Sequence, residues 1–231
     1  MVISATCDTD GARTVVNATI DGEYASLYGN LTATGLCTFN GETYIEGTVT
    51  GDCIFNDSSS LYGGTVTGDC IFNDSSRPNN LATIAGNCTF NDNSYAYSNA
   101  TITGNVTVND YATITCTVIG DCTFNDFTYT YPTVTGNCTY NDDSFGDAPW
   151  ITGNVTCNHR SRLHCFGFDG SGIFNHSSYL NNLGTVTGDL TFNDSSYIEY
   201  GGTVDGSVTF TNRTPYPIPR GINGSSILGV I

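Results

Sequence analysis

The chain has 231 residues, six positively charged residues (all arginine) and 22 acidic ones, for a net charge of −16. Such a surface repels phosphate backbones and anionic headgroups, which argues against nucleic-acid partners and adhesion to anionic membranes. No apolar run reaches the 18 or so residues of a spanning helix, so membrane insertion is not expected, and Met1–Gly22 lacks the pattern of a secretory signal.

One phrase recurs along the chain. Thr48–Ser59 and Thr65–Ser76 both read TVTGDCIFNDSS, Thr133–Ser144 reads TVTGNCTYNDDS and Thr185–Ser196 reads TVTGDLTFNDSS. Gly35, Gly51, Gly68, Gly86, Gly104, Gly120, Gly136, Gly153, Gly170, Gly188 and Gly206 follow one another at 16 to 18 residues. That period is one turn of a coil. Within a copy the alternation has period two: Val66, Gly68, Cys70 and Phe72 face one way, Thr65, Thr67, Asp69 and Ile71 the other. A unit this short cannot bury its own apolar side, but copies stacked at about 4.8 Å bury it jointly and pair every backbone group with the turns above and below. The expected fold is all-β: a β-solenoid (β-helix) of about 17 residues per turn and roughly eleven turns, with a capped N-terminus and an extended C-terminal strand.

In chain order, residues 1–30 keep the strand composition but not the phrase and are expected to cap the coil, since an uncapped solenoid exposes an open edge. Residues 31–211 carry the repeats, most regular over Gly63–Pro149. The phrase breaks over Ile151–Gly172, read either as an irregular turn or as a loop that protrudes to touch a partner. Residues 212–231 form an arm whose Pro215, Pro217 and Pro219 stop sheet pairing. It ends in the apolar Ser225–Ile231, either a cap folded over the last turn or a strand offered to another subunit.

Equal positions should stack as ladders. Phe55, Phe72, Phe90, Phe124, Tyr140, Phe174, Phe192 and Phe210 make an inner aromatic column, and the asparagines that follow them make an amide ladder at a bend. Cys37, Cys53, Cys70, Cys88, Cys122 and Cys138 share one inward position that Val106, Val155 and Leu190 also occupy, so they read as small core hydrophobes rather than disulfides. The Asn-x-Ser/Thr triplets at Asn56, Asn73, Asn87 and Asn137 are the repeat itself and need no glycan to explain them.

Candidate sites are few. Cys157, His159, His164 and Cys165 bring soft ligands close in sequence, a weak zinc or copper candidate whose C-x-H-x4-H-C spacing is not that of a finger. Trp150, Arg160, Arg162 and Phe166 in the same segment form a candidate partner surface for a receptor or glycan. Ile227, Leu228, Val230 and Ile231 are the candidate self-assembly residues. Asp52 with Asp69, and Asp57 with Asp74, form carboxylate columns of the kind that hold Ca²⁺, although the glycine-rich nonapeptide of calcium-binding β-rolls is missing. Nothing assembles a catalytic group and no cofactor is implied, so an enzyme is not expected.

Two resemblances add to this reading. Gly64–Phe72 (GTVTGDCIF) and Gly184–Phe192 (GTVTGDLTF) resemble the repeat of bactofilins, bacterial polymer-forming proteins, or the turns of viral and surface fibre β-helices. The resemblance implies a β-helix that polymerises end to end without nucleotide. The pairs Thr48/Thr50, Thr65/Thr67, Thr101/Thr103, Thr133/Thr135 and Thr185/Thr187 resemble the T-x-T face of insect antifreeze β-helices, interrupted at Ala85, Ile119, Trp150 and Asp205. The expected function is therefore structural: head-to-tail self-assembly into a filament, fibre or tube. A receptor- or glycan-binding fibre and an ice-binding protein are the alternatives. The expected location is extracellular, on a cell surface or virion, with a cytoplasmic filament as the alternative.

Overall fold

A computed structural model describes residues 2–3, 7–8, 13–15, 17–22, 26–33, 35–79, 81–97, 99–148, 150–200, 202–212 and 223–229. The fold is an all-β parallel solenoid of about 17 residues per turn and about eleven turns, with no helix among the described residues. It divides into two compact units, Met1–Gly120 and Asp121–Ile231.

Each regular turn contributes three short strands, one to each of three faces. In the turn at residues 65–79 these are Thr65–Val66 on the first face, Cys70–Phe72 on the second and Arg77–Asn79 on the third. In the first unit the second face runs in parallel register from Ala18–Asp21 through Cys37–Asn40, Cys53–Phe55, Cys70–Phe72 and Cys88–Phe90 to Val106–Val108. In the second it runs from Cys122–Phe124 through Cys138–Tyr140, Val155–Cys157, Gly172–Phe174 and Leu190–Asn193 to Thr203–Thr211. The coil sense already holds where the phrase is absent. Val2–Ile3 pairs in parallel with Ala18–Asp21, and Ser26–Ala33 with Tyr44–Thr50. Asn223–Gly229 pairs in parallel with Thr203–Thr211, with Ile227 opposite Val208 and Leu228 opposite Thr209, so the last strand is folded over the preceding turn.

The interior is a set of columns. Phe39, Phe55, Phe72 and Phe90 stack at 4.9, 4.7 and 5.0 Å between ring centres, all fully buried. Phe174, Phe192 and Phe210 stack at 4.9 and 5.2 Å in the second unit. Cys37, Cys53, Cys70 and Cys88 lie opposite one another on successive turns as free thiols, and the nine cysteines from Cys37 to Cys165 are buried and unbridged.

Two corners hold the coil in register. Where the first face meets the second, the repeat glycines stack with no space for a side chain. A Cβ on Gly68 would lie 2.4 Å from the carbonyl of Gly51, and one on Gly86 2.3 Å from the carbonyl oxygen of Gly68. From Gly51 onward, the polar residue after a repeat glycine hooks the next turn. Asp52 Oδ1 accepts from the amide of Asp69 (2.9 Å), Asp69 Oδ1 from Asn87 (2.7 Å) and Asn87 Oδ1 from Asn105 (2.9 Å). Short side chains with an acceptor oxygen, here Asp, Asn and Ser, reach that amide, which accounts for the residue choice at most of these positions.

Where the second face meets the third, the asparagines form the expected amide ladder. Each Nδ2 donates to the Oδ1 one turn below, at 2.8 Å for Asn56 to Asn40, Asn73 to Asn56, Asn91 to Asn73 and Asn109 to Asn91. Asn141, Asn158, Asn175 and Asn193 continue it in the second unit. The next residue is left-handed at every turn, with φ of 57° to 60° at Asp57, Asp74, Asp92, Asp110, Asp126, Asp142, His159, His176 and Asp194. Asp and His are among the few side chains enriched in that region.

The broken phrase is a repacked turn, and no loop protrudes there. Arg162–Phe168 is continuous strand, paired with Phe145–Ala148 and with Tyr179–Val186 across a bulge between Cys165 and Gly167. Cys157 stands where its neighbours carry Tyr140 and Phe174, while Phe168 stands on the inner first face between Ile151 and Val186. Gly172 makes room: a Cβ there would lie 2.7 Å from Leu190 Cδ2 and 3.0 Å from Phe168 Cζ. The aromatic has moved from one inner face to another, and two small residues absorb the change, as volume-conserving cores tolerate.

A similar exchange accommodates Tyr140, whose hydroxyl is buried without a hydrogen-bond partner. It fits because position 146 is glycine, where a Cβ would lie 2.7 Å from that oxygen. Tyr140→Phe is expected to stabilise the protein by about 1 kcal/mol, since an orphaned buried hydroxyl costs that much or more. A higher denaturation midpoint is the check.

Candidate interaction surfaces

The four soft ligands of the broken turn are dispersed by the fold. Cys157 and Cys165 point into the core, where burial pushes the Cys157 thiol well up and the Cys165 thiol to about 12. Cys165 donates its thiol proton to Asn182 Oδ1 at 3.7 Å. His164 lies on the outside of the third face, its Nε2 3.0 Å from the Tyr179 hydroxyl. His159 occupies the left-handed corner, its Nδ1 3.3 Å from Asp142 Oδ1 and its ring stacked on His176 at 5.1 Å. Among the described residues no three His, Cys, Asp or Glu side chains converge on one point.

The partner-surface candidates fall into two patches. Arg160 pairs with Asp143 at 2.5 Å, and the Arg162 guanidinium lies 5.9 Å from the centre of the Tyr179 ring. Both arginines border a shallow groove of about 440 Å³ completed by Ser177, Tyr179, Tyr197 and Glu199. Phe166 is 60% exposed and sits four residues further along the same strand, about 13 Å away. Trp150 lies over the Gly167 backbone, where an added Cβ would meet the indole at 2.9 Å. Of the self-assembly candidates, Ile227 and Leu228 belong to the last described strand, while Val230 and Ile231 lie outside the described residues.

The carboxylate columns have structural duties. Besides the Asp52 and Asp69 bonds above, Asp57 Oδ2 accepts from the amide of Gly41 at 2.9 Å, and Asp74 Oδ2 from that of Asp57 at 3.2 Å. The threonine rows are clearest on the first face of the first unit. Thr48, Thr65, Thr83, Thr101 and Thr117 are successive partners in one register, with Thr50, Thr67, Ala85, Thr103 and Ile119 beside them. No ionisable side chain stands among these positions.

Two features escaped the sequence reading. His176 and His159 replace the aspartate of the F-N-D-S-S corner, which is visible once Asn158–Ser161 and Asn175–Ser178 are aligned with Asn73–Ser76. The outward aromatics of the third face stack across turns, Tyr129 on Phe145 at 4.8 Å and Tyr179 on Tyr197 at 5.3 Å. Three-strand turns were needed to see them as neighbours.

These features define a β-solenoid repeat protein with no enclosed cleft at the sites described. No family model, no curated protein and no solved structure matches the chain.

Proposed function

We propose that the chain is a structural protein whose coil ends stack on those of other copies to give a filament, fibre or tube. One observation carries the reading: the terminal strands Val2–Ile3 and Asn223–Gly229 pair in the same parallel sense as the interior turns, so the backbone edge at either end has the hydrogen-bonding form of an interior one. Asn223–Gly229 has its strand partner on the Thr203–Thr211 side and none on the other among the described residues. An unblocked strand edge templates a further strand, and a heterologous end-to-end contact propagates into an open polymer. The resemblance of Gly64–Phe72 and Gly184–Phe192 to bactofilin repeats supports the same reading.

Blocking the edge tests it. Deleting the last strand would only present Thr203–Thr211 as a new edge, so the better variant is Ile227→Lys with Leu228→Pro, which adds a charge and removes a ladder donor. Sedimentation velocity is expected to show concentration-dependent large species for the natural chain and one slow species for the variant. An unchanged distribution would remove this edge from the assembly.

The uncharged threonine lattice favours a second reading, in which the first face of the first unit binds an ordered solid such as ice. Its rows lie about 4.8 Å apart along the coil and about 6.7 Å across a strand. Thermal hysteresis that disappears in Thr83→Tyr is the expected sign, and its absence in the natural chain would end this reading.

A further inference from the structure

We propose that His159 and His176 form a two-imidazole chelate for a divalent transition metal of borderline softness, namely Cu²⁺, Ni²⁺ or Zn²⁺. Imidazole nitrogen suits these ions, whereas the carboxylates filling the rest of the column suit harder ones. Both histidines occupy the same left-handed corner position on adjacent turns, with φ of 58° and 59°. The backbone therefore aims both side chains the same way. Their rings now stack with centres 5.1 Å apart and planes within 15°, so their in-plane lone pairs run parallel and a change of side-chain rotamer brings both to one ion. A turn spacing of about 4.8 Å is close to the separation of helical residues four apart, about 5–6 Å between Cβ atoms, the spacing at which two helical histidines share a zinc.

The surroundings orient the pair. Asp142 Oδ1 lies 3.3 Å from Nδ1 of His159, so Nε2 is the nitrogen facing away from the carboxylate. Arg160, the nearest cation, is tied to Asp143 at 2.5 Å. A depression of about 340 Å³ lined by Asp142, Asp143, His159, Arg160, His176 and Ser177 leaves room for water to complete the coordination. Because no third His, Cys, Asp or Glu converges there, the metal keeps open positions and the affinity is that of a bidentate site. His164 takes no part, being committed to Tyr179.

The experiment is titration of the full chain with Cu²⁺, followed by calorimetry and electron paramagnetic resonance. One equivalent is expected to bind, with two nitrogen couplings. His159→Asn and His176→Asn each keep a side chain that tolerates the left-handed corner, and each is expected to weaken binding about tenfold or more, to judge from the 10–100-fold that even outer partners of a metal site are worth. His164→Asn is expected to change nothing. Copper-induced broadening of imidazole signals in the natural chain needs no variant and should affect His159 and His176 but spare His164. Undiminished binding in the His159→Asn/His176→Asn double variant, or broadening centred on His164, would overturn the site. Neither outcome bears on assembly, since the chelate needs only one folded chain.

Discussion

Replacing Gly86 by alanine is expected to destabilise the first unit by about 3 kcal/mol or more, at the upper end of what overpacking costs. The new methyl would lie 2.3 Å from the carbonyl oxygen of Gly68, 2.5 Å from its carbon and 2.9 Å from the amide nitrogen of Asp69. All three are backbone atoms of the turn below, so no rotamer change relieves the contact. The strand spacing would have to open locally, breaking the hook from Asp69 Oδ1 to the Asn87 amide and weakening the Cys70 to Cys88 register. Chemical denaturation checks it, with a control in Ala85→Gly, one residue away on an exposed position. If Gly86→Ala lost no more than that control, the glycine column would not be what sets the turn spacing.

Asn73→Ala is the second large effect, at about 2–4 kcal/mol. The substitution removes the bond from Asn73 Nδ2 to Asn56 Oδ1 and the bond that Oδ1 of residue 73 accepts from Asn91 Nδ2, both 2.8 Å. Each partner left behind is partly buried, and an orphaned buried group costs about 1–3 kcal/mol. Amides in a row also polarise one another, so a break in the middle weakens the bonds on either side. Asn73→Asp separates the two losses, because it keeps the acceptor and removes the donor. Its loss should fall between the natural chain and the alanine variant in the same denaturation series.

Much of the fold was legible because its periodicity is written in unlike residues. Glycine marks the close approach, phenylalanine the inner column and Asn-Asp the left-handed corner, so alignment of the phrase with itself gives the pitch, the inner face and two ladders. The three-strand turn was harder to read. The alternation from Thr65 to Phe72 runs unbroken through the corner at Gly68, because the buried set changes face without changing parity. The turn at Ile151–Gly172 left two readings open for a related reason. Core volume is conserved by moving Phe168 to another inner face while Cys157 and Gly172 shrink, and past Asn158 the phrase is lost in that exchange. Residues 1–30 lack the phrase yet pair in the same sense over Val2–Ile3 and Ser26–Ala33, since parallel pairing asks for backbone and a buried alternate side chain, not for particular words.

The surface was less legible than the core. That Asp52 and Asp69 hook backbone amides depends on the distance between turns, and a column of carboxylates reads equally well as a calcium site until that distance is known. The two corner histidines look unrelated at a separation of 17 residues, and only the pitch of the coil makes them neighbours.

Self-stacking is tested most directly by negative-stain electron microscopy of the purified chain across a range of concentrations. Uniform filaments or tubes that lengthen with concentration are predicted, and they should vanish in the Ile227→Lys/Leu228→Pro variant. Discrete particles the size of one chain at every concentration would contradict the structural reading and turn attention to the threonine face.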